Sequence, residues 1–594
     1  MPGTWITFDA PNSSTGEFNV DLMILLTDGS ILMHNGFVTS VDFANQWLRL
    51  TPDQHGKYET GTWSAEIDMK TARQWFASGV LKDGRVFAIG GEHTNDPSSP
   101  TDSPLGEIFD PLTNLWSPLS KPPAFDFIRG DCNGTVLEDG RVMMGGPELG
   151  GPPSTWPKRT AIWDPSTNGW VEAGTKFGAL GTTNKKDPFE EETFTLLPNG
   201  EVMVPSVRDT PKAQRYVPSL DSWVNCATCP VKLAIKFLLG AEVFETAPTI
   251  VLPNGKAFAI GGTGRTAIFT PGSSPVSPGS WVKGPVFPAD TSGSPNWPLL
   301  TSLDAPACLL PSGKVVVMAG TTAPDAGDFF SLNPVLLEFD PASPAGTLPL
   351  LDVQPAIPPT NFTWQSCFLL LPTGQLLCSA QDKTLFLYTP DPAAGSPHHS
   401  WRPGHIFVPG NMKPGHSYTL SGTQLNGLSQ AVGYGDDAGM ATNYPIVRMT
   451  HHSSGQVVYV HSHHFSTMGI ATGHKLPHDR KSCVIDIPAT MAKGRWKLVV
   501  IANGIASEAI WVDIGMHGHE HEFEGKIESL VYDSFGDFEA FTVKNFGGEI
   551  RRFESREPHI AELTRRAWEE RTRVMVFSEH HHPHHAASIA LLAK

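Results

Sequence analysis

A polar two-residue turn, flanked on both sides by short apolar segments, recurs along the chain and constrains its fold more than any other feature. In residues 71–92 the turn is Asp83-Gly84, and the glycine pair Gly90-Gly91 follows the second apolar segment. Glycine adopts positive φ at no steric cost, so each turn predicts a β-hairpin. Successive turns are 55 to 61 residues apart, at Asp28-Gly29, Asp83-Gly84, Asp139-Gly140, Asn199-Gly200, Asn254-Gly255, Ser312-Gly313 and Thr373-Gly374.

A steady period of about 50–60 residues with one hairpin per unit is typical of the blades of a β-propeller. Each four-stranded blade buries both faces against its neighbours, so the blades must close into a ring. The seven turns therefore predict an all-β fold built on a seven-bladed, kelch-type propeller.

The rhythm of turns ends near Pro409, and the rest of the chain predicts two further domains. Short strands spaced as in an immunoglobulin-like β-sandwich come first, followed by a small β-rich domain with one helix at 557–571. We expect the N-terminal lead-in to donate a strand that closes the ring. The predicted domains are the lead-in at 1–17, the propeller at 18–408, the sandwich at 409–515, the small domain at 516–578 and a His-rich, solvated tail at 579–594.

Composition excludes several classes of partner. A net charge of −17 argues against binding to the phosphate backbone of nucleic acid. No apolar run reaches the length of a membrane span, and the first residues lack the basic and apolar regions of a signal peptide. The seven cysteines are sparse and odd in number, so we expect a reduced, cytoplasmic protein, with secretion by another route as the alternative.

The residues just before the innermost strand of each blade should meet at one mouth of the central channel. Eight or nine positions before the seven turns stand Asn19 or Val20, Trp75, Asp131, Glu191, Glu245, Asp304 and Gln365. Like charges held this close raise one another's pKa, unless a cation or a basic group such as Arg73 compensates them. We therefore predict an acidic rim at this mouth.

Three interpretations of the acidic rim are open. Salt bridges and buried water could hold it together as a structural cluster. The rim could bind a divalent cation, and Ca²⁺ suits an oxygen-rich ligand set best. It could also perform acid–base chemistry, with one protonated carboxyl beside an ionised one, as in a hydrolase or a lyase.

Histidines flank a predicted hairpin at 453–460 in the sandwich. His451 and His452 precede it, and His461, His463 and His464 follow it. On a strand, His461 and His463 share a face. Alternate histidines chelate Zn²⁺ or Cu²⁺ when a third ligand is available, and an axial carboxylate could supply it. The alternative is a set of exposed loop histidines without a metal.

Three segments give the chain a resemblance to the galactose oxidase and glyoxal oxidase family. They are ARQWFASGVLKDGRVFAIGG at 72–91, TWQSCFLLLPTGQ at 363–375 and HHFSTMG at 463–469. The resemblance covers residues 18–513 and implies one copper ion held by two tyrosines and two histidines, with one tyrosine cross-linked to a cysteine. The two tyrosines correspond here to Trp75 and Trp364, one histidine to Gln365, and the histidine from the immunoglobulin-like domain to His463 or His464.

These substitutions imply that the copper-radical site is lost. An indole cannot deprotonate to bind copper or form a tyrosyl radical, and an amide is a poor copper ligand. We therefore expect a hub without phenolic side chains on a retained oxidase fold. The only cofactor that the residues suggest is a divalent cation: Ca²⁺, Zn²⁺ or Cu²⁺.

The leading hypothesis is a pseudoenzyme that binds a glycan or a protein at the channel mouth. The predicted ligand-binding residues are Arg73, Trp75, Asp131, Glu191, Glu245, Asp304, Trp364 and Gln365. Two alternatives make the protein an enzyme. One is a hydrolase, a lyase or a metal-dependent enzyme that uses the acidic rim, and the other is a carbohydrate or aldehyde oxidase with a rearranged copper site.

Overall fold

The structure is a computed structural model, and the chain that it shows is almost entirely β. It describes residues 2–36, 44–95, 103–119, 132–145, 158–174, 182–183, 185, 192–236, 242–243, 245–292, 297–322, 330–391, 395–434, 439–473, 479–515, 522–579 and 582–592. Seven sheets form the blades of a propeller, and one α-helix and a closed five-stranded barrel lie near the C-terminus. The predicted fold class is confirmed.

The first four blades follow one another in chain order. Strand β1 is Thr4–Asp9. Blade 1 comprises β2 (Val20–Leu25), β3 (Ile31–Asn35), β4 (Gln46–Thr51), β5 (Thr62–Trp63) and β6 (Ile67–Asp68). Blade 2 comprises β7 (Ala77–Val80), β8 (Val86–Ile89), β9 (Gly106–Asp110) and β10 (Leu115–Leu119). Blade 3 comprises β11 (Gly134–Val136), β12 (Val142–Gly145), β13 (Thr160–Asp164) and β14 (Gly169–Ala173), and blade 4 comprises β15 (Thr182–Thr183), β16 (Thr195–Leu196), β17 (Val202–Pro205), β18 (Ala213–Val217) and β19 (Ser222–Asn225).

Three more blades complete the ring. A short hairpin, β20 (Ile235–Lys236) and β21 (Glu242–Val243), precedes them. Blade 5 comprises β22 (Thr249–Val251), β23 (Ala257–Ile260), β24 (Arg265–Thr270) and β25 (Ser280–Val286). Blade 6 comprises β26 (Ala307–Leu309), β27 (Val315–Thr322) and β28 (Ser331–Phe339), and blade 7 comprises β29 (Cys367–Leu370), β30 (Leu376–Ser379) and β31 (Thr384–Thr389). The 3-10 turns Thr363–Gln365 and His399–Trp401 lie in the described connections.

The seven turns predicted from the sequence share one geometry. In each, the glycine N–H donates to the carbonyl of the leucine three residues earlier, at 2.8–2.9 Å. The same leucine N–H donates to the carbonyl of the residue after the glycine, at 2.7–2.9 Å. The glycines have φ between 75° and 93°, which only glycine adopts without strain. The repeat in the sequence is therefore a repeat of one hairpin, which joins the two innermost strands of each blade.

Segments from outside the repeats complete two of the blades. Strand β1 pairs antiparallel with β31, with Thr4 opposite Thr389, so the N-terminal segment supplies the outer strand of blade 7 as expected. Strand β35 (Val432–Gly433) pairs with the inner edge of β26 in blade 6, with Gly433 opposite Ala307. This second strand belongs to the segment predicted as the sandwich.

The sandwich is built on a nine-stranded arrangement in which one strand passes between two sheets. Its other strands are β32 (Gly404–Phe407), β33 (Asn411–Met412), β34 (Ser417–Thr423), β36 (Ile446–His451), β37 (Val457–His463), β38 (Lys481–Asp486), β39 (Gly494–Ala502), β40 (Ile505–Ala506) and β41 (Ile510–Ile514). The first half of β37 pairs with β36 and its second half with β38. Strand β37 therefore passes from one sheet of the sandwich to the other.

The C-terminal region is a closed barrel in the order β42-β43-β44-β46-β45. Its elements are β42 (Glu522–Tyr532), β43 (Phe538–Lys544), β44 (Ile550–Glu554), α1 (Pro558–Glu569), β45 (Arg573–Glu579) and β46 (His582–Leu592). Ile589 and Leu591 of β46 are buried, so the segment predicted as a solvated tail is a strand of the barrel. None of the described helices is both long enough and apolar enough to cross a membrane. The domain boundaries given above stay predictions.

We expect β1 to hold the ring closed through Trp5. The Trp5 ring lies 4.9 Å from that of Tyr388 on β31, and its Nε1 donates to the Val353 carbonyl at 2.9 Å. Trp5→Ala should lower the free energy of unfolding by about 2 kcal/mol, because it removes this packing and the hydrogen bond. Ile6→Ala is the control, since Ile6 on the same strand is 44% exposed and should cost less than about 0.5 kcal/mol. Equal losses in denaturant melts would contradict this account of β1.

Candidate functional site

The segments that precede the innermost strands lie side by side at one end of the propeller, which we call the channel mouth. Hydrogen bonds join neighbouring segments: Asn133 Nδ2 to Glu192 O (2.6 Å), Thr193 Oγ1 to Thr249 Oγ1 (3.4 Å), Asp304 N to Thr246 O (2.9 Å), Thr363 Oγ1 to Leu303 O (3.2 Å) and Cys367 Sγ to Asp21 O (2.5 Å). The seven repeated turns lie at the other end of these strands, which we call the turn end.

Five side chains form a continuous aromatic cluster at the channel mouth: Trp75, His93, Phe330, Phe362 and Trp364. The Trp75 ring lies 5.1 Å from His93 and 5.8 Å from Trp364. Trp364 stacks on Phe362 at 6.0 Å and lies 5.8 Å from Phe330. His93 is exposed and the other four are half-buried, so all five keep surface that a ligand can contact.

The backbone at Trp75 is strained, with φ of 45°. A bridge between Gln74 and Glu92, with N···O distances of 2.7 and 2.9 Å, holds this segment against Gly90 and Gly91. Gly91 has φ of 102°, and a Cβ placed on it would lie 2.8 Å from the Cβ of Arg73 and 3.0 Å from the Gln74 carbonyl. The glycine pair seen in the sequence therefore allows the Trp75 segment to pass close to its neighbour.

Arg73 is fully buried beneath Trp75, where the sequence predicted a ligand-binding residue. Its guanidinium donates to the carbonyls of Gly90 at 2.8 Å and Leu105 at 2.6 Å, and lies 3.3 Å from Glu107. Glu107 in turn accepts from the backbone N–H groups of Lys70 and Thr71. A side chain with no exposed surface cannot touch a ligand, so Arg73 supports the segment that carries Trp75.

Gln365 is half-buried and hydrogen-bonds within the site, and its role as a ligand-binding residue stays a prediction. It ends the 3-10 turn Thr363–Gln365, and its Oε1 accepts from the Phe362 N–H at 2.8 Å. Its Nε2 donates to Gln381 Oε1 at 3.0 Å. The turn orients Phe362 and Trp364 so that their rings stack. The side-chain amide of Gln365 thus fixes the aromatic pair.

The structure describes only part of the predicted acidic rim. Glu245 and Asp304 are half-buried, and the Asp304 N–H donates to the carbonyl of Thr246, so the two acidic residues stand on adjacent segments. Asp131 and Glu191 lie outside the described residues. A convergence of the four carboxylates therefore stays a prediction.

A buried ion pair lies beside the rim. Glu192 is fully buried and pairs with Lys185 at 2.8 Å. The sequence did not predict a role for Lys185, because this residue lies in a polar segment outside the repeated hairpins of the blades.

A tyrosine reaches the hub, contrary to the expectation of a hub without phenolic side chains. Tyr434 follows β35 and is 4% exposed. Its hydroxyl donates to the backbone carbonyl of Trp364, and its side chain lines a small cavity with Asp21, Trp75 and Trp364. The interval between β34 and β36, from Thr423 to Ile446, is long enough to reach into the channel.

A second group of polar side chains lies on the sandwich, where β37 meets β38. His461 stands opposite Asp486 in the antiparallel register, and its Nδ1 lies 3.0 Å from Asp486 Oδ2. His463 Nε2 lies 3.1 Å from the same oxygen, and Ser417 Oγ lies 2.5 Å from Oδ1. Burial alone would raise the pKa of Asp486, but hydrogen bonds from His461, His463 and Ser417 hold it far below its usual range.

His464 lies beside this group and away from the channel mouth. Its Nδ1 is in close contact with Nδ1 of His463, and burial together with the nearby His463 lowers its pKa. It lines a surface cleft with Asp83 and Arg85 at the turn end of blade 2. His463 and His464 therefore do not join Trp75 at the hub, and the part of the sandwich segment that does is Tyr434.

Comparisons with known proteins support the predicted resemblance. Galactose oxidase from Gibberella zeae is 23% identical over 231 residues, which is 35% of this chain and 32% of that protein. We therefore describe the chain as galactose-oxidase-like.

Two further comparisons are a shorter sequence match and a solved structure. Spermatocyte protein spe-26 from Caenorhabditis elegans is 31% identical over 123 residues, 20% of each chain. No family model matches, and the chain spans between a fifth and a third of the length of these curated relatives. Among solved structures, a fungal alcohol oxidase of the AA5 family in complex with copper is 16% identical, with a TM-score of 0.47, over 87% of this chain and all of that one.

The described side chains at the hub of this galactose-oxidase-like chain do not fit a copper ion. The indoles of Trp75 and Trp364 offer no lone pair to a cation, and the side-chain amide of Gln365 is hydrogen-bonded to Gln381. The Tyr434 hydroxyl is engaged by a carbonyl. In the part of the chain that the structure describes, three or more His, Cys, Asp or Glu ligand atoms converge only at His461, His463 and Asp486.

The close approach at Gly91 predicts a sharp steric effect. Gly91→Ala should lower the free energy of unfolding by about 2–3 kcal/mol, because the new methyl group adds a clash with the Trp75 segment to the cost of positive φ. Gly346→Ala is the matched control: Gly346 has φ of 95°, and nothing lies within 4 Å of a Cβ placed there. It should cost only about 1 kcal/mol. Denaturant melts that give both variants the same loss would mean that the segment does not need this close contact.

Proposed function

We propose that this galactose-oxidase-like protein lacks a copper-radical site and binds a glycan at the channel mouth. The observation that carries the proposal is the aromatic cluster of Trp75, His93, Phe330, Phe362 and Trp364, whose rings remain partly exposed. Sugar rings present C–H faces that pack on aromatic rings, and their hydroxyl groups need hydrogen-bond partners nearby.

Polar groups beside the cluster support a sugar ligand over a purely apolar one. Asp21 and Gln381 line the same small cavity as Trp75 and Trp364. The Asp21 side chain is 11% exposed and bonds to His34 at 2.8 Å, so its carboxylate is held in place. A few fixed acceptors and donors at the edge of an apolar surface are typical of carbohydrate sites.

The strained backbone at Trp75 gives further support. A non-glycine residue at positive φ costs about 1–3 kcal/mol, and such residues concentrate at functional sites. Four of them lie around the mouth, at Trp75, His93, Asp304 and Gln381. The surrounding bonds of Arg73, Glu107 and Gln365 maintain this geometry, which is the support that a rigid binding surface needs.

Alanine substitutions of the two tryptophans test glycan binding. We expect Trp75→Ala and Trp364→Ala to weaken binding of a glycan identified on an array by tenfold or more, about 1.4 kcal/mol, because each removes a stacking surface. Trp568→Ala is the control, since Trp568 is 46% exposed on α1 in the barrel. The measurement is calorimetric titration of folded variants. Equal affinity in all three, or an array without any bound glycan, would contradict the proposal.

One observation favours a second candidate, an oxidase with a rearranged copper site: Tyr434 brings a phenol to the hub. To bind copper its hydroxyl would have to leave the Trp364 carbonyl. We expect the purified protein, after incubation with Cu²⁺ and removal of excess, to release no hydrogen peroxide with galactose, glyoxal or methylglyoxal. Peroxide release by the unmodified protein that Tyr434→Phe abolishes would establish the oxidase instead.

A further inference from the structure

We propose that His461, His463 and Asp486 bind a Zn²⁺ ion where the sandwich strands β37 and β38 meet the turn end of blade 2. Two imidazoles and one carboxylate are a ligand set that Zn²⁺ accepts, with a fourth position left for water. The site is separate from the channel mouth, and the inference does not depend on the function proposed there.

The spacing of the donor atoms suits a tetrahedral ion. The three ligand atoms lie within 4.8 Å of one another, with His461 Nδ1 at 3.0 Å and His463 Nε2 at 3.1 Å from Asp486 Oδ2. Two zinc bonds of about 2.05 Å at the tetrahedral angle place their donor atoms about 3.3 Å apart. Side-chain shifts of a few tenths of an ångström would therefore admit the ion.

The strands hold these ligands in place before any ion arrives. His461 and His463 are two residues apart on β37, so their side chains share a face of the sheet. Asp486 stands opposite His461 on β38, in an antiparallel register that leaves no freedom to slide. A preformed site of this kind does not have to offset the entropy of gathering its ligands.

Neighbouring groups orient the ligands from behind. Ser417 Oγ donates to Asp486 Oδ1 at 2.5 Å, which leaves Oδ2 directed at the two histidines. His463 presents Nε2 to Asp486, and its Nδ1 faces Nδ1 of His464. A partner on the far nitrogen of a metal-bound imidazole selects its tautomer and fixes its plane. His464 thus acts as a positioning residue.

The ion would stabilise the contact between the sandwich and the propeller. A Cβ placed on Gly84, in the blade 2 turn, would lie 3.2 Å from His461 Nε2. Between the two histidines, Ser462 Oγ donates to the Thr27 carbonyl at 3.3 Å, and just beyond them the Phe465 N–H donates to the Lys82 carbonyl at 2.9 Å. These bonds tie β37 to the turns of blades 1 and 2. Asp486 is one-third exposed, so the ion can enter from solvent.

The competing explanation of these contacts is a metal-free group in which the two histidines hydrogen-bond to Asp486. The two explanations differ in whether the group binds zinc. The test is calorimetric titration of the chelator-treated full-length protein with ZnCl₂, followed by melting with and without Zn²⁺. Asp486→Asn and His463→Gln remove one ligand each. His451→Gln is the matched control, because His451 lies on the adjacent hairpin, outside the ligand group, and its ring hydrogen-bonds to Ser453 and Ser454.

We expect the wild type and His451→Gln to bind about one more equivalent of Zn²⁺ than either ligand variant, and to melt several degrees higher when Zn²⁺ is present. The histidines at 580, 581, 582, 584 and 585 can take up zinc as well, so the difference between variants is the decisive quantity. Equal stoichiometry in all four proteins would overturn the proposal and leave the hydrogen-bonded triad.

A measurement on the unmodified protein covers the case in which a variant fails to fold. Crystals soaked in ZnCl₂ and recorded at the zinc absorption edge should show an anomalous peak about 2.0–2.2 Å from His461 Nδ1, His463 Nε2 and Asp486 Oδ2. Anomalous peaks confined to other positions would overturn the proposal. The same soak with CuCl₂ or CaCl₂ tests the choice of metal, and a peak at these ligands with either ion alone would overturn the assignment to zinc.

Discussion

Closure of the seven blades around a filled channel is the constraint on which the rest of the structure depends. A blade is stable only when both faces are buried, and an open edge leaves N–H and C=O groups without partners. Strand β1 covers the outer edge of blade 7, and β35 covers the inner edge of blade 6. Because β35 belongs to the sandwich segment, the sandwich segment packs against the propeller at its channel. Tyr434 reaches the mouth only because β35 is fixed in the channel.

The repeated part of the fold could be predicted because it is local. Each blade contains a tight turn with a positive φ that only glycine adopts without strain, and seven such turns in the sequence indicate seven blades. The segments that complete the propeller carry no such signal. Strand β35 is two residues long, and its pairing with β26 is specified by the channel it enters, not by its own sequence. The prediction of a solvated C-terminal tail was wrong for a related reason. The segment begins with polar residues, and Ile589 and Leu591 are buried because they pack in the core of the barrel.

The candidate sites divide in the same way. Trp75 and Trp364 could be placed at the mouth, because they stand at fixed offsets from the turns. The number of residues before a turn does not decide whether a side chain faces the channel or the interior, because that depends on the local backbone conformation. Arg73 is fully buried and supports the aromatic cluster from within, whereas Gln365 is half-buried and hydrogen-bonds to Phe362 in the cluster. Asp486 was missed because it joins His461 through a strand pairing between residues 25 positions apart.

The two ends of blade 2 carry different chemistry on one rigid strand. Trp75 precedes β7 and the Gly84 turn follows it, so the aromatic cluster and the His461 group are roughly 25 Å apart along the strand direction. At that separation, and with water at the surface, the charge of an ion at the turn end is largely screened from the mouth. A ligand at the mouth and an ion at the turn end can influence each other only through the protein between them, such as β7, whose Ser78 Oγ accepts from the Gly439 N–H of the sandwich segment at 3.1 Å. The antiparallel pairing of β7 with β8, and of β37 with β36 and β38, holds each site in a fixed geometry, so that occupation of one should leave the affinity of the other unchanged.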